Sequence, residues 1–249
     1  MNTQQQKLFK ILLIGDSCID EYVYGTCDRL NPEAPVPVLN YIKKVTTKGM
    51  AWNVYNNLKV FDVDIHFITN SEEIIKTRFI DQKSNQQILR LDLETNVSPL
   101  SEEIPDIEWD GIVISDYNKG FIQKEKIFEI TKKYNCPIFI DSKKDELPLE
   151  NCFIKINNIE AKNLKSKNKN VIVTMGSKGA MYNNTLYPGE NVNVYDVVGA
   201  GDTFLAAVSY GYIKTKSIDY AIQFANKCSS IAVQHRGTYV LSKEDINYE

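Results

Sequence analysis

Five times along this chain a short, almost unbroken apolar run stops at a small polar or glycine-bearing pair. The runs are Lys10 to Gly15 before Asp16, Ile112 to Ile114 before Ser115-Asp116, Pro137 to Ile140 before Asp141-Ser142, Cys152 to Ile156 before Asn157-Asn158, and Val171 to Thr174 before Met175-Gly176. Such a run has the length of a strand and needs cover on both faces, the situation of a strand in a parallel sheet. Segments of helical spacing stand between them, such as Lys124 to Tyr134, with Ile127, Phe128, Ile130 and Thr131 spaced for one face. Strand, polar tip and helix in alternation predict an α/β fold, a doubly wound, mostly parallel sheet with helices on both faces. Ligands of such a sheet gather at the carboxyl ends of its strands.

Two stretches break the rhythm. Tyr22 to Val45 carries Pro32, Pro35 and Pro37 among Val36, Val38 and Tyr41, which favours extended chain over helix. Ile75 to Ile80 and Gln87 to Leu93 read as two strands joined by the polar turn Asp81 to Asn85. Together they predict a small β-sheet lid, formed by segments about 20–46 and 75–95. At 249 residues, one domain spanning 1–249 with that lid inserted is the economical reading. The lysine- and asparagine-rich run Lys162 to Asn170 reads as solvated surface.

Bulk properties exclude several classes. A net charge of -3 offers no global attraction to phosphate backbones, so no nucleic-acid partner is expected. The five cysteines, Cys18, Cys27, Cys136, Cys152 and Cys228, are odd in number, scattered and without a C-x-x-C pair, against both a disulfide framework and a zinc knuckle. The first apolar run is too short for a signal-peptide core or a membrane span, and no other stretch comes close, so a cytoplasmic chain with no membrane partner is expected.

The stretch Asp196-Val-Val-Gly-Ala-Gly-Asp-Thr-Phe204 carries the chemistry. Its small residues let successive N–H groups of Gly199, Ala200 and Gly201 face one point, and the apolar run after it suits a buried helix. A helix amino terminus with free N–H groups attracts anions. An acidic residue at that point has two readings. Asp202 can orient a substrate hydroxyl and accept its proton late in phosphoryl transfer, or it can simply cap the helix, a use worth roughly 1 kcal/mol. A dinucleotide-binding turn fits less well, because the third glycine is missing.

The stretch closely resembles the carboxyl-terminal signature of the PfkB, or ribokinase-like, carbohydrate kinases, and the similarity extends over nearly the whole chain. Within that family the chain most resembles the heptose-7-phosphate kinase branch of ADP-heptose synthesis. The residues carrying this closer likeness are Gly15-Asp16 with Asp20 and Tyr22, Arg29, Asn31 to Val38, Lys76-Thr-Arg78, Gln86 to Asp92, Ser115 to Gly120, and Asp141 with Lys143. The resemblance implies an ATP-dependent, Mg2+-assisted sugar kinase with Asp202 as base and Gly199, Ala200 and Gly201 as its anion hole. It implies Asn157 and Glu160 as the N-x-x-E element near magnesium and phosphate, the first also on the nucleotide side, and Thr174, Gly176, Gly179 and Asn226 around the nucleotide. On the sugar side it points to Asp16, Asp20, Gly49, Asn53, Asp116 and Lys143, with Arg78 and Arg90 as candidate grips on a substrate phosphate or, alternatively, partners of lid carboxylates such as Asp92 or Glu94. A homodimer through the lid is expected, since a small sheet has edges and an apolar face to cover.

The chain also departs from that pattern. Gly49-Met50 stands for the usual Gly-Gly pair, and Trp52 for a small residue. A helix and a strand expected between Asn70 and Ile75 have no counterpart, and no nucleotidyltransferase half follows Glu249, so a second activity is not expected here. Two alternatives remain open: a kinase for an unphosphorylated sugar or nucleoside, and a catalytically silent homologue that binds a sugar phosphate or a partner protein.

Overall fold

The computed structural model describes residues 8–165 and 168–246; the first seven residues, the last three and residues 166–167 of the lysine-rich run lie outside the described residues. The amino-terminal half runs β1 (Lys10–Gly15), β2 (Ser17–Thr26), β3 (Asn40–Met50), α1 (Ala51–Lys59), β4 (Asp64–Thr69), β5 (Ile75–Asp81), β6 (Gln86–Leu93), β7 (Gly111–Asp116) and α2 (Lys124–Lys133). The rest runs β8 (Ile138–Ser142), β9 (Phe153–Asn157), α3 (Glu160–Asn163), β10 (Val171–Thr174), β11 (Ala180–Tyr182), β12 (Thr185–Tyr187), α4 (Ala200–Thr215), α5 (Ile218–Ala232) and α6 (Lys243–Ile246).

All five apolar runs are strands of one eight-stranded sheet of order β12-β11-β10-β9-β8-β7-β1-β4. It is parallel from β10 to β4, and the β11–β12 hairpin adds an antiparallel edge. Alternation along the buried strands feeds two cores. Ile11 and Leu13 of β1 pack with Val54, Phe204, Val208 and Ile222 from α1, α4 and α5, while Leu12 and Ile14 pack with Ile127 and Ile130 of α2. Both faces of the sheet are therefore sealed, and the strand ends are left for polar groups.

The lid is a second sheet of order β3-β2-β5-β6, with β2 and β5 parallel and the outer pairs antiparallel. The register puts Val45, Tyr22, Arg78 and Arg90 in one row across the four strands, hence on one face. Phe79 and Leu89 pair on the opposite face, together with the exposed Leu91 and Leu93. The lid is rooted without linkers: β2 starts at Ser17, two positions after β1 ends at Gly15, and α1 starts at Ala51, directly after β3 ends at Met50.

The main sheet ends at β4, one strand beyond β1, and the chain crosses from Thr69 to β5 through five residues. Asn70 secures that crossing, accepting from Ser17 N at 2.7 Å and donating to Glu72 O at 2.7 Å. Met50, where the resemblance calls for glycine, sits at φ 57° and ψ −127° with its side chain buried. A β-carbon is disfavoured in that conformation, so the substitution leaves strain at the root of the lid.

Candidate active site

The strand ends and the amino terminus of α4 converge on Asp202. Gly199 caps α4 with φ 79°, which glycine adopts freely. A β-carbon there would meet Asn53 Nδ2 at 2.6 Å, and one on Gly201 would meet Lys155 Nζ at 2.8 Å, so a side chain at either position would push those groups aside. Asp202 follows in the first helical turn and is 5% exposed. Its Oδ1 accepts from the Tyr117 hydroxyl at 2.6 Å, and its Oδ2 from Asn53 Nδ2 at 3.2 Å. Burial raises the carboxyl to about 6, against the pull of those two hydrogen bonds. A carboxyl of that strength is balanced between holding and releasing a proton near neutral pH, which a helix cap does not require.

Behind the turn lies a buried ion pair that sequence reading missed. Lys155, in the middle of β9, donates to Asp141 Oδ2 at 2.6 Å, both side chains almost fully enclosed. The pair places a positive charge beneath Gly201. Tyr117 was missed as well, although it directly follows Asp116 in the quoted Ser115-to-Gly120 segment. Two signals were available: a lysine inside an apolar strand needs a partner, and a residue just past a strand end in this fold faces the ligand side.

On the other side of the turn, Thr174, Gly176, Gly179, Asn226, Ala200 and Gly201 line one cavity of about 420 Å³. Val192, Val194 and Phe204 give it apolar walls, the usual setting for a flat base. Asn226 donates to Tyr187 O at 2.9 Å, so its amide holds the end of the β11–β12 hairpin against α5. Gly179, at φ 91°, leaves no room for a β-carbon against Tyr187 O at 2.1 Å.

The sugar-side candidates divide by their partners. Asp16 is fully buried below the cleft: Oδ2 accepts from Tyr117 N at 2.6 Å, Oδ1 has no partner, and burial followed by the nearby Asp116 raises its pKa. Asp116 is occupied by Asn118 N, Ser142 and Lys144. Asn53 is occupied too, donating to Asp202 and to Gly199 O while Oδ1 accepts from Asn57 at 3.1 Å; it braces the turn and the carboxylate. Gly49 is required by Asp20, whose Oδ2 would stand 1.9 Å from a β-carbon there. Arg78 is bonded to Asp20 and stacks on Tyr22, with its side chain largely buried. Arg90 makes a two-pronged bond to Asp92 at 2.8 and 2.9 Å on the lid surface.

Lys143 pairs with Glu160, and its Nζ stands 5.6 Å from the centre of the Tyr117 ring. Asn157 and Glu160 meet, but in a reciprocal pair of bonds at the start of α3: Glu160 Oε2 accepts from Asn157 N, and Asn157 Oδ1 accepts from Glu160 N, both at 2.9 Å. With Glu160 Oε1 taken by Lys143 as well, this pair presents no prepared ligand set for a divalent cation. No group of three or more acidic, histidine or cysteine side chains suited to a metal occurs among the described residues. No helix among them is long and apolar enough to cross a membrane.

The pfkB family carbohydrate kinase profile matches residues 154–245, the portion with the glycine turn and the lining of the 420 Å³ cavity. Bifunctional protein HldE of Helicobacter pylori is 33% identical over 309 aligned positions, covering 95% of this chain and 65% of that protein. The HldE of a Nitratiruptor species is 30% identical over 295 positions, covering 95% and 64%. The chain thus spans just under two thirds of the curated relatives it matches, and the alignments exceed its 249 residues because the relatives carry segments it lacks. Ribokinase of Thermotoga maritima superposes with a TM-score of 0.72 at 18% identity, over 96% of this chain and 98% of that one. The Arabidopsis thaliana ribokinase complexed with ribose and ATP gives 0.68 at 16%, over 96% and 98%. These likenesses make the fold ribokinase-like.

Proposed function

This chain belongs to the pfkB family of carbohydrate kinases, and on that premise we propose that it transfers the γ-phosphoryl group of ATP to a sugar hydroxyl, with Asp202 accepting the hydroxyl proton. The observation that carries this reading is the placement of Asp202, a carboxyl raised to about 6, in the first turn of α4, directly after a turn of three small residues. A loose phosphoryl-transfer transition state asks for orientation of the acceptor and late proton capture, which a carboxylate of this strength can provide. The N–H groups of Gly199 and Gly201 serve the developing charge, the Ala200 N–H being held by Val197 O at 3.3 Å, and the 420 Å³ cavity beside the turn takes the nucleotide. Magnesium arriving with the nucleotide would neutralise phosphate charge; Asn157 and Glu160 are bonded to each other, and Glu160 to Lys143, so they are not a ready ligand set for it.

The acceptor we assign first is a heptose 7-phosphate, supported by the Gln86-to-Asp92 and Asn31-to-Val38 segments and by the HldE relatives. One observation favours a second reading, an unphosphorylated sugar: both lid arginines are already held by carboxylates. We also propose that two copies pair through the lid, whose outer face exposes Leu89, Leu91 and Leu93 in one row. ADP production by the full chain with ATP and either heptose 7-phosphate or heptose tests the acceptor, the phosphate being expected to react far better. Asp202→Asn should lower turnover by at least about a hundredfold, and near-normal turnover in that variant would remove Asp202 from the mechanism.

A further inference from the structure

The carboxylate of Asp202 touches two side chains, and they differ in kind. Asn53 is a neutral amide anchored on α1 by Asn57. Tyr117 is an acidic hydroxyl, on the loop after β7, whose backbone N–H is fixed by Asp16 at 2.6 Å. Its ring keeps some exposure while its hydroxyl is enclosed, and the ammonium groups of Lys76 and Lys143 stand 5.7 and 5.6 Å from the ring centre. Cations against the ring draw density from the phenol and make its O–H a stronger donor. Burial and Asp202 itself raise the phenol's own pKa, so the proton between the two oxygens stays on tyrosine and the carboxylate remains the acceptor.

We propose that Tyr117 is a positioning residue for Asp202: its hydroxyl bonds to Oδ1 while Asn53 holds Oδ2, which fixes the carboxylate plane and keeps a deeply buried base in its ionised form. A carboxylate has about four acceptor positions, so with one bond on each oxygen it can still receive the substrate hydroxyl. Without Tyr117, burial would weigh more heavily on the group, and it would hold its proton closer to neutral pH. The other charged or titratable groups facing the pair are Asp141 on β8, Lys155 on β9, Lys143 beyond β8, Cys18 on β2 and Lys76 on β5. Tyr117→Phe leaves all of them in place. The inference rests on Asp202 being the base, but its test does not.

The direct measurement is a pH titration of the full chain labelled with 13C at aspartate carboxyls, the Asp202 signal assigned by its loss in Asp202→Asn. In Tyr117→Phe that signal should titrate about one pH unit higher, the usual effect of removing one hydrogen bond to the charged form. Placing 3-fluorotyrosine at position 117, a more acidic phenol and stronger donor, should move it lower and guards against a phenylalanine variant that fails to fold. An unmoved signal in either protein overturns the proposal. In ADP production with ATP and heptose 7-phosphate, the acid limb of the pH profile should follow the same displacement, with activity recovered at high pH and the KM for ATP unchanged. A uniform loss at every pH would mean that Tyr117 only supports the fold. If the unmutated protein makes no ADP, the kinase reading fails, and the carboxyl signal still decides the role of Tyr117.

Discussion

Removing the charge of Asp202 should make this protein more stable, and only above mildly acidic pH. Asp202→Asn keeps the side-chain shape at a position 5% exposed. In the folded chain the carboxyl is raised from an ordinary 3.8 to about 6, chiefly by burial. At about 1.4 kcal/mol per pH unit, that difference amounts to about 3 kcal/mol. The native state binds this proton more tightly than the unfolded chain does, so the contribution of the protonated form is complete below about pH 4. It is lost as pH rises through 6, after which the penalty is constant. The amide carries no such penalty, although its NH2 group meets the donor of Asn53 in place of an acceptor, at a cost of about 1 kcal/mol. The variant should therefore be more stable than the unmutated protein by about 2 kcal/mol at pH 8 and should show no advantage at pH 4. Urea unfolding at pH 4, 6 and 8 gives the comparison directly. A difference that does not change with pH, or a variant less stable at pH 8, would refute the argument that Asp202 is held against its own solvation.

At Met50, with φ 57° and ψ −127°, glycine should outrank alanine: Met50→Gly is expected to be more stable than Met50→Ala by about 1 kcal/mol, the reverse of the usual order, and equal melting in urea would show that no strain is stored there. Arg78→Ala leaves Asp20 buried without its partner and should cost about 3 kcal/mol, whereas Arg90→Ala on the lid surface should cost under about 0.5 kcal/mol; thermal denaturation of both variants tests the contrast. Leu91→Asp should turn a dimer into a monomer in light scattering at micromolar concentration, and a monomeric unmutated protein would defeat pairing through the lid.

The parts of the fold that sequence showed are those where burial is two-sided and therefore continuous. The runs that became β1, β7, β8, β9 and β10 are apolar on both faces, and the lid strands are marked by β-branched and aromatic residues between turns. What stayed hidden breaks that link between burial and hydrophobicity. The inner face of α1 includes Asn53 and Asn57, amides satisfied by each other, Asp202 and Leu241 N, so its apolar period is interrupted. The edge strand β4, with Asp64 and His66, is only half covered, and β11 and β12 are three residues each. In the site, the glycine turn was legible because only small residues permit its backbone. The expectation for Asn53 is a place on the sugar side; its bonds to the carboxylate and to Gly199 O are what the sequence does not show. They depend on a distance between α1 and α4, which no local pattern carries.

The rooting of the lid constrains how this gene can change length. Only Asp16 separates β1 from β2, and nothing separates β3 from α1. Side chains alternate along a strand with a period of two, so one codon inserted at that root would slide β2 by one position and turn its inner row outward. Asp20 and Tyr22 would exchange faces with Ile19 and Glu21, taking the partner of Arg78 out of the cleft and placing an isoleucine and a glutamate on the cleft side in their stead. The same codon inserted at the far rim, in the turn between β5 and β6 or the proline-rich loop between β2 and β3, would leave every strand in register. Tolerated insertions and deletions should therefore collect at the rim and be absent from the root, where the count of residues is itself part of the site.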